Sequence, residues 1–326
     1  MGVMNKASKI KIQKISDKDR VMEERQLSDL VEMNSPKAVL NEVLIILKLI
    51  DPNYNNKPVT SVFFSTIKLY NGRFPGYRSC NTKYHDFYHT SDTFLAMSRL
   101  IHGAMIEGGS FTNRQIALGL ISALLHDTGY IQEEHDLEGT GAKYTANHVQ
   151  RSMDFVFKHG AELGLSDEEI VACQNMILCT DLSFNISAIN FPSAEVELLG
   201  KMLSTSDILA QMADRTYLEK LLFLYYEFKE ANIGGYEGEV DLLRKTIDYY
   251  DFIAQYLETK LDATDQFMIS HFASRWDIQK NLYHKAIEKQ RDYLNQILAM
   301  QNSDPRDHLK RGEIINKIRK KSEKME

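Results

Sequence analysis

Apolar residues recur along this chain at the three-to-four-residue spacing of helices, and the alternation of a strand is nowhere sustained. Ala38, Val39, Leu40, Val43, Leu44, Ile45, Ile46, Leu47 and Leu49 outline a dense apolar helix that Pro36 can open and Asp51-Pro52-Asn53 stops. A second helix, over about 59–70, runs into Asn71-Gly72-Arg73-Phe74-Pro75-Gly76, whose Gly and Pro mark a loop. The loop delivers His85 and His89, and a helix over about 86–102 follows. Thr112 with Gln115 three residues on has the pattern of a capping box. The helix it opens carries Ile116, Ala117, Leu118, Leu120, Ile121, Ala123, Leu124 and Leu125. It is apolar on nearly every face, so it should run through the middle of the domain and end at His126-Asp127.

Residues 131–142 are acidic and glycine-bearing, which predicts a surface loop, and helices are predicted beyond it at about 143–159, 166–180, 193–213, 215–231 and 236–257. From about 263 to 300 a helical pattern in Phe267, Ile269, Phe272, Trp276, Leu282, Tyr283, Ile287, Tyr293 and Ile297 should pack back on the domain, with Phe272 and Trp276 as core. There is no internal repeat. The whole pattern predicts an all-α fold: a compact multi-helix bundle over 35–300, a charged N-terminal arm over 1–34 and a charged, solvated tail over 301–326.

Composition narrows the chemistry. At 326 residues and 43% hydrophobic content the chain can build one large core or two modest ones. With a net charge of −6 and its Lys and Arg scattered among acids, it has no basic stripe to release counterions from a nucleic-acid backbone. Cys80, Cys173 and Cys179 form neither a C-x-x-C pair nor an even disulfide framework, which fits a reducing compartment. The first residues lack the apolar stretch of a signal peptide, and no run approaches the roughly 20 apolar residues of a membrane span. A cytoplasmic protein is expected, with a small-molecule substrate and with the two charged ends as the places for self-association or a partner.

His126-Asp127 is the first chemical signal: burying either side chain at the end of an apolar helix is costly without a partner, and both are ligands for divalent ions. Read alone, it is as well explained by a helix-terminal His beside an ordinary Asp. His85 and His89, four residues apart, share one face of a helix and point toward one site, although packing accounts equally for such a pair. Asp207 lies among Leu198, Leu199, Met202, Leu203, Ile208 and Leu209, where an uncompensated carboxylate is rare. His135-Asp136 is a decoy, preceded by Glu133-Glu134 with no apolar helix to carry it inward.

The order His, His-Asp, Asp along separate helices is similar to the minimal pattern of the HD hydrolase superfamily. More closely, the sequence resembles the catalytic domain of class I cyclic nucleotide phosphodiesterases over about residues 75–280. Tyr84-His85-Asp86-x-x-His89-x-x-Asp92 is similar to that family's Y-H-N-x-x-H-A-x-D, and Ala123 to Asp127 to its apolar run ending in H-D. Thr180-Asp181-Leu182 looks like its T-D-M element, and Ser206-Asp207-Ile208 with Ala213-Asp214-Arg215 like its A-D-L segment and downstream D-R. The resemblance implies a compact HD-type helical bundle holding two divalent ions (Zn, Mn, Mg or Fe). In it His89, His126, Asp127 and Asp207 hold the first ion, Asp127 bridges to the second, and His85 is the general acid, held by a neighbouring carboxylate.

The departures matter as much. The family's H-D-x-x-H becomes His126-Asp127-Thr128-Gly129-Tyr130, which removes one active-site histidine, and Asp86 stands where the family has Asn. Asn147-His148, similar to an N-H pair of the family, brings His148 forward, with Asp181 and Asp86, as a candidate around the second ion or behind the ligands. Tyr84 and the loosely similar Gln266-Phe267 are the candidate substrate contacts. Gly235-Tyr236-Glu237 does not supply the G-Y-P signature of the domains that cleave cyclic dinucleotides. The expectation is a metal-dependent phosphohydrolase, a phosphodiesterase acting on cyclic or other nucleotides. The alternatives are an HD-type di-iron oxygenase and a catalytically degenerate, metal-stabilised binding module.

Overall fold

The computed structural model describes residues 25–313, so most of the predicted N-terminal arm and the end of the tail lie outside the described residues. Within them the chain is all-α. Eleven helices run in the order α1 (Pro36–Ile50), α2 (Lys57–Tyr70), α3 (Phe87–Ile106), α4 (Asn113–Leu125), α5 (His148–His159), α6 (Asp167–Leu178), α7 (Ala194–Ala213), α8 (Tyr217–Glu230), α9 (Glu239–Thr259), α10 (Phe267–Trp276) and α11 (Leu282–Ala299). Among the described residues there is no strand, only isolated antiparallel bridges between Asn71 and Ser79 and between Tyr77 and Glu133. No described helix is long and apolar enough to cross a membrane.

Helix α3 is the axis of the fold, with α1, α4, α7 and α10 packed around it, and every residue from Phe94 to Ala104 is buried. Contact with α10 is so close at Gly103 that a Cβ there would stand 1.8 Å from the Phe267 carbonyl oxygen. Helix α4 is the predicted central helix: the Thr112 capping box forms, and Ile116 to Leu125 are all buried. The apolar interior falls into two clusters, one around α1 to α7 and one formed by α8, α9, α11 and part of α7. Along α7, Leu209, Ala210 and Ala213 belong to the first cluster and Ile208 and Met212 to the second. Asp207 therefore lies on the seam between them.

Four expectations need correction, each for a tertiary reason. The helix predicted over 143–159 is broken: Gly141–Tyr144 forms a 3-10 turn and α5 begins only at His148. The Arg151 guanidinium, 3.6 Å from the Tyr144 ring centroid, clamps the two pieces together. The continuous pattern over 263–300 is two helices, because Asp277 turns left-handed (φ 56°) and Asn281 caps the second through Tyr283 N–H and His284 N–H. The 131–142 segment is anchored at both ends, with Ile131, Gln132, Gly141 and Ala142 buried. Asp136 fastens its middle by accepting from Lys143, Tyr144 and Gln132. Between Glu134 and Gly139 the segment is the predicted surface loop, exposed except at Asp136; the decoy His135 side chain is 81% exposed.

The fourth correction concerns the ends. Leu27, Leu30, Val31 and Met33 pack against the first cluster, so residues 25–34 belong to the domain. At the other end Leu309 is buried, Arg306 pairs with Glu239 at 2.6 Å, and the Tyr293 hydroxyl donates to the His308 carbonyl. Residues 301–313, the described part of the predicted tail, thus pack against the domain. Phe272 is core as expected and Trp276 is partly buried against it.

Candidate metal centre

Three helices bring the ligand candidates together. His89 sits in the first turn of α3, which Asp86 opens by accepting from the His89 backbone N–H at 3.1 Å. His126 and Asp127 stand at the C-terminal end of α4, and Asp207 projects from α7. His89 Nε2 lies 3.4 Å from His126 Nε2, 3.4 Å from Asp127 Oδ2 and 3.0 Å from Asp207 Oδ1. His126 Nε2 lies 3.4 Å from Asp127 Oδ2 and 3.6 Å from Asp207 Oδ1. Ligand atoms held about 2.1 Å from one ion are separated by about 3.0 Å across an octahedral edge and about 3.4 Å across a tetrahedral one; His89, His126 and Asp127 offer ligand atoms that all lie within 4.8 Å of one another and could hold an ion, while Asp207 stands against the two imidazoles and outside that group of three.

The chemistry of the donors fits an ion as well. His126 Nδ1 donates to the Ala123 carbonyl at 2.8 Å, which leaves the Nε2 lone pair directed inward. Asp127 Oδ2 is buried and takes no hydrogen bond, an arrangement costly for a carboxylate unless a cation completes it. Asp207 Oδ1 accepts from Gln211 Nε2 at 2.8 Å, and Gln211 Oε1 in turn accepts from the Tyr84 hydroxyl at 3.1 Å. Burial works against charge on His89, yet the carboxylates of Asp127 and Asp207 outweigh it and raise its pKa to about 9. His126 is raised in the same way, and both aspartates are held well below the usual carboxylate range. A divalent cation balances the two acids with its own charge.

His85 stands beside this cluster, its ring centroid 6.0 Å from that of His89. Its Nδ1 is 2.8 Å from Glu227 Oε2 on α8, and Glu227 Oε1 also accepts from Lys83 N–H and Tyr84 N–H. Glu227 is the carboxylate beside His85, and periodicity could not mark it, because the 83–85 loop rather than the helix core buries it. Tyr130 fills the other side. Its ring stacks on that of His85 at 4.2 Å and on that of His148 at 4.5 Å, and its hydroxyl is 3.4 Å from His85 Nε2. His148 Nδ1 donates to the Thr145 carbonyl, and its Nε2 faces Asp127 Oδ1 at 3.9 Å. Burial lowers the His148 pKa against the pull of Asp127.

Residues 134–283 match the family described as Npun_R2479-like. The match covers less than half of the chain; it includes His148, Asp207 and Glu227 and leaves His85, His89, His126 and Asp127 outside it. No curated protein matches the chain.

The other candidates divide. Tyr84 is beside the cluster: with His89, Asp92, Ala210, Gln211, Asp214, Tyr217 and Lys220 it lines a small cavity. Asp86 is a helix cap, and Asp181 accepts from the Ser183 backbone and hydroxyl, so neither side chain joins the cluster. Gln266 bonds to Asp265, and Phe267 packs over Gly103. Gly103 is 14 residues along α3 from His89, about 21 Å at 1.5 Å per residue, so the expected substrate contacts at Gln266 and Phe267 are corrected. Sequence spacing placed them near the end of the domain without showing which end of α3 they cover.

Proposed function

We propose that the protein is a metal-dependent phosphohydrolase acting on a phosphate ester of nucleotide type. The observation that carries the reading is the convergence of His89, His126 and Asp127, with Asp207 against the two imidazoles, beside a histidine–carboxylate pair, His85–Glu227. A divalent ion at those donors supplies the charge that acidifies a water and offsets negative charge on phosphoryl oxygens. The protein's own groups do the rest. Water adds to phosphorus and gives up a proton to solvent, the ester P–O bond breaks, and the leaving oxygen takes a proton from His85, which Glu227 holds in place through Nδ1. Gln211 fixes the Asp207 carboxylate and ties it to Tyr84, so ligand and pocket wall move together. The free thiols Cys80, Cys173 and Cys179 support a reducing compartment such as the cytoplasm.

The test is hydrolysis of bis(p-nitrophenyl) phosphate and of cyclic AMP and GMP with Mn, Mg or Zn, alongside metal analysis of the protein as purified. Turnover that depends on metal and disappears in His85→Ala and Asp207→Ala supports the reading. Stoichiometric bound iron with no hydrolysis would refute it in favour of oxygenase chemistry.

A further inference from the structure

Tyr130 stands where the resemblance would place a histidine, and the proposed hydrolysis gives it no task. Three ring distances show what it can do. Its ring lies 4.2 Å from that of His85 at an interplanar angle of 11° and 4.5 Å from that of His148 at 23°, while the two imidazoles are 6.1 Å apart. Imidazoles stacked on opposite faces of the phenol would each keep about 3.5 Å from its plane and so stand about 7 Å or more from one another. His85 and His148 therefore rest side by side on one face of Tyr130, which forms a common floor under both. The hydroxyl has a different place. It is 3.4 Å from His85 Nε2, but with the planes nearly parallel it lies beneath that nitrogen, whereas a hydrogen bond to an imidazole nitrogen runs close to the ring plane. The in-plane direction at Nε2, where a proton is carried or given up, stays open, and the hydroxyl pairs with Thr145 instead. Glu227 holds His85 at Nδ1, and one hydrogen bond fixes a point of the ring without fixing its plane. The face of Tyr130 supplies the plane. That floor is itself held: Tyr130 is 1% exposed, Arg151 donates to the carbonyls of Gly129 and Ile131 on either side of it, and a Cβ on Gly141 would stand 1.9 Å from the Tyr130 carbonyl oxygen.

We propose, building on the reading of His85 as the general acid of a phosphohydrolase, that Tyr130 is a positioning residue for the proton transfer. Its ring, rather than its hydroxyl, sets the plane of the His85 imidazole and so aims Nε2 at the leaving oxygen. Glu227 and Tyr130 then divide the work, one fixing Nδ1 and the other the tilt of the ring.

The experiment compares full-length wild type, Tyr130→Phe and Tyr130→Leu by steady-state hydrolysis of bis(p-nitrophenyl) phosphate with Mn(II), by Mn(II) calorimetry, and by NMR of the histidine ring protons in protein free of Mn(II). Tyr130→Phe keeps the floor and is expected to hold kcat within the roughly threefold that a correctly placed catalytic group tolerates, while Tyr130→Leu removes the floor and should lower kcat about 10–100-fold, the scale of a misplaced group. KM and Mn(II) affinity should stay near wild type in both, a split that damage to the metal cluster or to the fold would not give. The His85 and His148 ring protons, lying over an aromatic face, should resonate upfield in wild type and Tyr130→Phe and move downfield together in Tyr130→Leu. A Tyr130→Phe variant as inactive as His85→Ala assigns the work to the hydroxyl and overturns the proposal, as does a folded Tyr130→Leu with wild-type kcat. Should Tyr130→Leu fail to fold, the kinetics of Tyr130→Phe and the wild-type ring shifts decide the matter. A wild type that hydrolyses no ester refutes the proposed function, and the ring shifts then judge the floor separately: ordinary shifts for both histidines refute it as well.

Discussion

Glu227 is where fold and chemistry can be separated most cleanly, because its two oxygens do different work. Oε1 accepts from Lys83 N–H at 2.8 Å and Tyr84 N–H at 2.7 Å, and Oε2 faces His85 Nδ1 at 2.8 Å. Glu227→Ala strands all three donors. Lys83 is exposed and its N–H can turn to water, but Tyr84 and His85 are buried. At about 1–3 kcal/mol for each buried group left unpaired, the loss is about 4 kcal/mol. Unfolding entropy of about 2.1 cal/mol/K per residue gives about 0.7 kcal/mol per degree for a chain of this length, so the melting temperature should fall by about 6 °C. Glu227→Gln keeps an oxygen for both backbone donors and should melt within about 2 °C of wild type. Its amide, however, presents N–H to His85 Nδ1, so the imidazole loses its anionic partner and its favoured tautomer. Under the proposed function, kcat then drops by the roughly 10²–10⁴-fold typical of a lost general acid. Differential scanning calorimetry and steady-state kinetics on the same preparations read both effects. An alanine variant melting like wild type refutes the structural half of the reasoning; a glutamine variant with wild-type kcat refutes the chemical half.

Other outcomes follow from the same geometry. Asp207→Ala and His126→Ala should each weaken Mn(II) binding by at least the roughly 10–100-fold seen when groups merely supporting a ligand are removed, as measured by calorimetry; unchanged affinity would place the ion elsewhere. Gly103→Ala drives a Cβ to 1.8 Å from the Phe267 carbonyl and should cost about 1–3 kcal/mol by overpacking, seen as a lower urea midpoint, while Gln266→Ala leaves KM unchanged because that side chain is far from the centre. The buried pair His102–His271, 3.0 Å apart, predicts acid sensitivity: burial, with Arg275 nearby, lowers His102 to about 4, and burial, with Arg99, lowers His271 as well. Both pKa values lie below the unfolded value of about 6.5, so between pH 6.5 and 4 the unfolded chain binds more protons and stability falls as pH falls. Urea midpoints across that range should decline, and His102→Leu/His271→Leu should flatten the slope; an equally steep decline in the double variant would assign the acid sensitivity to other groups.

What the sequence determined by itself was local. The Ser35, Thr112 and Ser193 caps and the unbroken apolar faces fix where α1, α4 and α7 lie, because those signals act between residues three or four apart. The cluster of His89, His126, Asp127 and Asp207 was legible for a related reason: carboxylates and imidazoles on apolar helices advertise a partner even before that partner is known. What only the tertiary structure decided was long-range. Glu227 reaches His85 across more than 140 residues because α8 packs over the 83–85 loop. Tyr130 meets His148 because Gly129 lets α5 approach the turn after α4, and Phe267 is turned away from the centre because Gly103 admits α10 at the far end of α3. Such contacts depend on how whole helices pack, and their glycine and buried-acid signals are single residues with no period to read. The side chains of the cluster were therefore visible one helix at a time, while the groups that surround and orient them became visible only once the helices were assembled.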